Sequence, residues 1–395
     1  DAVTLTARRP MHHLKSLFLL DPEVIFLNHG SFGACPRPVF EVYQSFQREL
    51  ERQPVAFLGR LFPQMMYEAR RALAEFLGTC AENLVYVPNA TTAGNIVARS
   101  ISLSARDEVL ATDLEYGAMD RMWSHITAEA GAVYRRVPIP LPVIGEVDFV
   151  ERIWSAVSDR TRAIFLSHIT SSTGLVLPIR ELVRRAREAG ILTFIDGAHV
   201  PGQLTLRLDD LGADFYTGNC HKWLFAPKGA AFLWVRPESQ PLIEPLVVSW
   251  GNQSIEDSAF IQENEYQGTR DIAPYLSVPA GIQFYRDHDW DRVASRCRAL
   301  TQEVRSMFVD VLGGQSLAPP SWYAQMAAHE VAPDDPTRLK DRLYDEFNIE
   351  IPISKLGDRW FIRASVQGYN GEDDFERLAA ALAALGVRAP VEAPV

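Results

Sequence analysis

The sequence predicts an α/β protein, with a large domain on a mostly parallel, seven-stranded sheet and a smaller α+β domain after it. Three observations carry this expectation. Seven short apolar runs lie between residues 84 and 235, with helix-length stretches between most of them, as in a parallel sheet covered on both faces. From about Tyr285 that alternation gives way to a long helix, a proline-bearing loop and a mixed helix and strand pattern. The chain has 395 residues, 47% hydrophobic and 23% charged, which is ordinary for a globular protein and long enough for two or three domains. The expected organisation is an arm over 1–40 that joins the small domain, a large domain over 41–284 and a small domain over 285–395.

Residues 1–30 read as an irregular arm ending in VIFLNHGSFGACP, where Gly30 to Gly33 and the prolines Pro36 and Pro38 mark turns. A helix begins near Arg37 and runs through EVYQSFQREL. Gly59 and Pro63 interrupt, and MMYEARRALAEFLG reads as an amphipathic helix closed by Gly78. The buried strands are then LVYV (84–87), 108–112, 132–137, 163–167, 191–195, 214–217 and 230–235, with helices such as IRELVRRAREAG between. In the last third, DRVASRCRALTQEVRSMFVDVL is a long helix and Pro319-Pro320 marks a loop. A helix, the strands IEIPI and RWFIRAS, and the helix DDFERLAAALAAL follow. The tail RAPVEAPV reads as disordered.

Composition narrows the function. A net charge of -11 without a long basic run argues against a nucleic-acid or anionic-membrane partner. Cys35, Cys80, Cys220 and Cys297 are far apart and form no C-x-x-C pair, so they read as free thiols of a reducing compartment rather than a disulfide frame or metal site. No apolar run approaches a membrane span, and DAVTLTARRPMHHLK lacks a signal-type apolar core. A soluble, cytoplasmic protein is expected.

In open parallel sheets, ligands gather at the carboxyl ends of the strands, and three such ends here carry complementary groups. PNATTAG follows LVYV and places Thr91 and Thr92 at a helix N-terminus, which suits an anion such as phosphate and equally suits ordinary capping. Asp196 closes ILTFI, with His199 three residues on. Lys222 lies beyond DFYTG, between His221 and the apolar run Trp223-Leu224-Phe225, in a chain with only five lysines. Such a lysine either snorkels over apolar surface or, desolvated, loses its proton and attacks carbonyls. Anion site, carboxylate and desolvated lysine together fit pyridoxal phosphate: Schiff-base lysine, acid at the pyridine nitrogen, helix N-terminus at the phosphate.

The sequence also resembles the class V aminotransferases, fold type I pyridoxal phosphate enzymes, and within them the isopenicillin N epimerase-like branch. The matching stretches are LNHGSFGACPRPV, PNATTAGN, DLEYGAM, SHITSSTGLVLPI, DGAHVPGQ, TGNCHKWLFAPKGAAFLW, YQGTRD and FIRASVQGYN, spanning about residues 27–380. The resemblance implies that Lys222 carries the cofactor and shuttles protons, Asp196 pairs with the ring nitrogen and His199 meets the ring hydroxyl. It implies that Tyr116 stacks on the ring, that Thr91, Thr92, Asn219 and His221 hold the phosphate, and that Ser171 lies beside the ring where desulfurases have asparagine. Thr269 would reach the partner subunit's phosphate in a homodimer with shared active sites. Arg363 would grip the carboxylate of an amino-acid substrate, with His29, Gly30 and Ser31 beside it.

One departure bears on the reaction. Cysteine desulfurases carry a mobile nucleophilic cysteine in the small domain, and no cysteine lies between Val311 and Val395. Persulfide-forming desulfuration is therefore disfavoured. Epimerisation is the leading expectation; C–S lyase or aminotransferase chemistry shares its first step and stays open, as does, remotely, a non-catalytic binder. An epimerase needs a second acid, for which His29, Tyr116 and His199 are the candidates.

Overall fold

Each of the seven predicted runs forms a strand of one sheet in the computed structural model, which describes residues 12–251 and 258–390. They are β1 (Leu84–Val87), β2 (Glu108–Thr112), β3 (Val133–Val137), β4 (Thr161–Ser167), β5 (Leu192–Asp196), β6 (Phe215–Asn219) and β7 (Ala231–Val235). Their order is β1-β7-β6-β5-β4-β2-β3, parallel from β6 to β3 and antiparallel where β7 joins β6 and β1. The central strands are buried over nearly their whole length because both faces are covered. Ile164, Leu166 and Ile195 point into one core, while Ala163, Phe165 and Phe194 point into the other. Only the edge strand β3 is open to water, and its VYRRV sequence puts Arg135 and Arg136 there.

Pairing register places the chemistry. Ser167 lies opposite Asp196, and Asp196 opposite Thr217, so the carboxyl ends of β4, β5 and β6 form one row. The helix after β1 is α1 here (Ala90–Ser100), and it begins two residues before the expected start at Thr92. Its cap is Asn89, whose side chain accepts the N–H of Thr92 at 2.8 Å, so asparagine does the work that the sequence seemed to give to the threonine pair. The helix after β2 is α2 (Gly117–Ala130), with Tyr116 at its N-cap.

The chain beyond Tyr285 builds on α3 (Trp290–Leu312) and a three-stranded antiparallel sheet of β8 (Met326–Val331), β9 (Ile353–Leu356) and β10 (Arg359–Ser365), with β10 central. Strand β8 was not expected. MAAHEV has two alanines and no strong β-former run, and its six-residue pairing with β10 overrides that local preference. The predicted IEIPI strand divides at Pro352: Ile349–Glu350 pairs with Ile25–Phe26, and β9 starts afresh. Leu14, Phe18, Ile25, Leu27 and Val39 share one apolar cluster with Trp290, Phe308, Ile362 and Leu378, so the arm packs on the C-terminal elements. Of the expected disordered tail, residues 391–395 lie outside the described residues, as do residues 1–11 of the arm.

Candidate active site

A cavity of about 460 Å³ opens at the carboxyl ends of β4, β5 and β6, bounded by the start of α1, Tyr116, Arg363 of β10 and the Gly30–Phe32 segment of the arm. Lys222 lies on it, in the turn between β6 and β7, with its Nζ 3.2 Å from Nε2 of His199. Burial, and after it the charge of Arg363, brings the amine down from 10.5 to about 7, against the pull of Asp196. Asp196 is 4% exposed; burial raises its pKa, opposed by the Ala198 N–H that donates to Oδ1 at 2.9 Å and by Lys222. The turn after Lys222 is strained, since Phe225 sits at φ 64°, where a bulky residue is uncommon. Edge-on contacts with Phe18, Phe284 and Trp290 hold its ring and so hold the turn.

The anion-binding end is built from backbone. The first turn of a helix leaves N–H groups unpaired. In α1 the Ala90 N–H goes to Oδ1 of Asn219 at 3.0 Å and that of Thr92 to Asn89, leaving that of the cavity residue Thr91 for a ligand. Thr92 itself belongs to the cap and does not line the cavity, whereas Thr91, Asn219 and His221 do. His221 donates from Nδ1 to the Ala230 carbonyl at 2.9 Å, and burial holds its pKa down at about 4. Its Nε2 is therefore a bare acceptor, which would have to gain a proton to serve a phosphate.

Arg363 is 4% exposed and has no carboxylate partner among the described residues. Its Nη1 donates to the Ser171 carbonyl, its Nη2 to Ser31 Oγ at 3.4 Å, and its Nε meets no acceptor. Burial alone brings this guanidinium down to about 10. An uncompensated buried cation facing a cavity is costly unless an anion arrives. Gly30 is pressed against it: a Cβ there would lie 3.2 Å from Nη2 and 2.8 Å from Sδ of Met326.

His29 is placed differently from the expectation. It is fully buried, its Nε2 donates to the Lys222 carbonyl at 3.0 Å, and its Nδ1 accepts from the Tyr369 hydroxyl at 2.9 Å. With both nitrogens occupied, and its pKa lowered by burial to about 3, it braces the lysine's backbone and does not line the cavity. Gly33 closes the short helical turn that His29 opens. At φ 72° its backbone runs so close to the lysine segment that a Cβ would lie 2.1 Å from the His221 carbonyl. Thr269 lines a separate cavity with Gly59, Trp250 and Tyr266. Tyr116 lines the first cavity and is 45% exposed.

Sequence reasoning missed Glu115. It is 2% exposed and accepts the Ser167 N–H at 2.8 Å, the Ser167 hydroxyl at 2.6 Å and the Thr112 hydroxyl at 2.6 Å, tying the end of β2 to the end of β4 beneath the cavity. Burial raises its pKa to about 7 despite these donors, with Asp196 adding to the effect. Its only signal was an acid just past a strand end, beside the more conspicuous Tyr116. Phe32, 71% exposed at the cavity mouth, gave no signal beyond a turn.

This donor set fits pyridoxal phosphate. A desolvated amine, a buried carboxylate, an open helix N-terminus and a partly exposed aromatic line one cavity, and the guanidinium beside them, its Nε without an acceptor, suits an anion.

Comparison with known proteins agrees with this geometry. The family described as aminotransferase class-V matches residues 26–378. The chain is 38% identical over 380 residues to isopenicillin N epimerase of Amycolatopsis lactamdurans, covering 92% of this chain and 95% of that one. It is 30% identical over 395 residues to a probable chloroplastic L-cysteine desulfhydrase of Arabidopsis thaliana, covering 91% and 82%. Among solved structures, a cysteine desulfurase from Thermococcus onnurineus superposes with a TM-score of 0.80 at 20% identity, covering 95% of this chain and 98% of that one, a likeness of fold.

Proposed function

The chain belongs to the class V aminotransferase family, and from that premise we propose that it is a pyridoxal phosphate enzyme inverting the α-carbon of an amino-acid substrate, in the manner of an isopenicillin N epimerase. The observation that carries the reading is the pairing of a desolvated Lys222 with an anion-seeking Arg363 on one cavity. Lys222, Asp196, His199, Tyr116 and the start of α1 would hold the cofactor. When bound, it makes the α-hydrogen of an attached amino acid acidic by accepting its electron pair.

The chain's own residues do the rest. Arg363 receives the α-carboxylate through Nε and Nη2, fixing which face of Cα meets Lys222. Asp196 would keep a proton on the ring nitrogen, and Lys222 Nζ, whose unprotonated form is well populated near neutrality, removes the α-proton. Inversion needs a second acid. His29 has no nitrogen to spare and His199 stands against the lysine, so Tyr116 is the proton donor in this reading.

The L-cysteine desulfhydrase relatives favour elimination as the second reading, which needs no acid on the other face. Persulfide transfer is not supported, because none of the four cysteines lines the cavity and Cys220 and Cys297 are buried. A homodimer is part of the proposal: Val248 and Trp250, 87% and 85% exposed near Thr269, suit cover by a second copy. The unpaired thiols support a cytoplasmic location.

The test is incubation of the holoenzyme with amino acids in deuterated water. Deuterium at Cα with inverted configuration supports the epimerase; pyruvate with sulfide from cysteine supports the lyase; neither product removes both.

A further inference from the structure

We propose that Trp223 is a positioning residue whose indole N–H fixes the proton of His199 on Nε2, and so dictates the role of the atom that meets Lys222. Trp223 Nε1 donates to His199 Nδ1 at 3.4 Å, with the two residues 1% and 3% exposed. An indole nitrogen only donates, so Nδ1 must offer its lone pair. Burial, above all, and the charge of Arg363 keep this imidazole neutral, which leaves its single proton on Nε2.

That proton points along a 3.2 Å contact to Lys222 Nζ. With Nε2 as donor, the amine must be the acceptor, and only an unprotonated amine has a lone pair to give. The indole thus favours the unprotonated lysine through one imidazole. His199 is also anchored through its backbone. Its main-chain carbonyl accepts from Gln203 Nε2 at 2.7 Å, and Gln203 Oε1 is held by the Gln325 N–H at 3.0 Å. Trp223 is itself wedged against His29, with ring centroids 4.7 Å apart. Without the indole, His199 could carry its proton on Nδ1 and turn a lone pair toward the amine, reversing the hydrogen bond. The consequence for the cofactor rests on the reading above: a ring oxygen placed at Nε2 meets a donor. The tautomer does not depend on it.

The test is a long-range proton–nitrogen correlation spectrum of histidine-labelled protein, cofactor-free and loaded, with His199 assigned through His199→Gln. The expected wild-type pattern is a protonated Nε2 and a bare Nδ1, shifting to a mixture in Trp223→Phe. A wild-type proton on Nδ1, or an unchanged pattern in Trp223→Phe, overturns the proposal. Because the wild-type spectrum decides the tautomer alone, a variant that fails to fold does not protect the idea. Turnover gives the second readout: Trp223→Phe should lower kcat about tenfold beside His199 and less than about twofold beside His199→Gln, whose amide supplies its own donor. Equal losses in the two backgrounds would reduce Trp223 to core packing. Borohydride trapping of the cofactor on Lys222 tests the parent reading separately, since the cofactor-free spectrum stands whatever it shows.

Discussion

Replacing Arg363 by methionine separates binding energy from stability. The guanidinium is held at about 10 instead of 12.5, which at 1.36 kcal/mol per pH unit is a burial cost of about 3 kcal/mol. No described acid offsets it, so the cofactor-free variant should unfold at the same temperature or higher. Turnover should move the other way. A bidentate carboxylate grip makes two charge-assisted hydrogen bonds of about 1.5–3 kcal/mol each, so kcat/KM should fall about 10²- to 10⁴-fold. Removing the charge also relieves Lys222, whose pKa Arg363 depresses second only to burial. Cofactor capture needs the neutral amine, so the pH at which capture is half-maximal, near 7 in the wild type, should rise. The assays are thermal unfolding, deuterium entry at Cα measured by mass spectrometry, and stopped-flow cofactor capture between pH 6 and 10. An amine lacking the carboxylate is the control and, compared at a pH above the Lys222 midpoint of both proteins, should react at unchanged rate. Retention of kcat/KM within about threefold, or equal losses for amino acid and amine, would refute the carboxylate assignment.

Lys222→Ala should abolish the borohydride-trapped adduct and reduce deuterium entry below detection; residual exchange at the wild-type rate would sink the mechanism. Asp196→Asn should cost about 10²- to 10³-fold in kcat, because the amide cannot hold the ring nitrogen's charge, with cofactor content near normal by absorbance. Glu115→Gln tests the buried carboxyl. Its folded pKa of about 7 lies above the unfolded 4.5, so the native state binds more protons in that window and stability falls as pH rises from 4.5 to 7. That slope should shrink in denaturant titrations of the variant; an identical slope would show that Glu115 does not titrate there.

What could be read in advance divides along physical lines. The central strands were legible because burial on both faces leaves short apolar runs such as AIFL and AFLWV. Strand β8 was not, because alanines take their conformation from a neighbour that the sequence does not identify. Asp196 and Lys222 stood out as charges where apolar strands end. Glu115 and Trp223 did not, since an acid in a loop and an aromatic in an apolar run look ordinary until their hydrogen-bond partners are known. His29 shows the opposite failure. A conspicuous histidine in a glycine turn invites a chemical role, yet both its nitrogens serve the main chain and Tyr369.

The clasp of His29 and Gly33 on the lysine segment joins residues about 190 positions apart. Such a long-range closure is slow to form and must await the sheet from which Lys222 projects. The support of the reactive amine is therefore a product of the finished fold, absent from any state in which these two distant segments have not met.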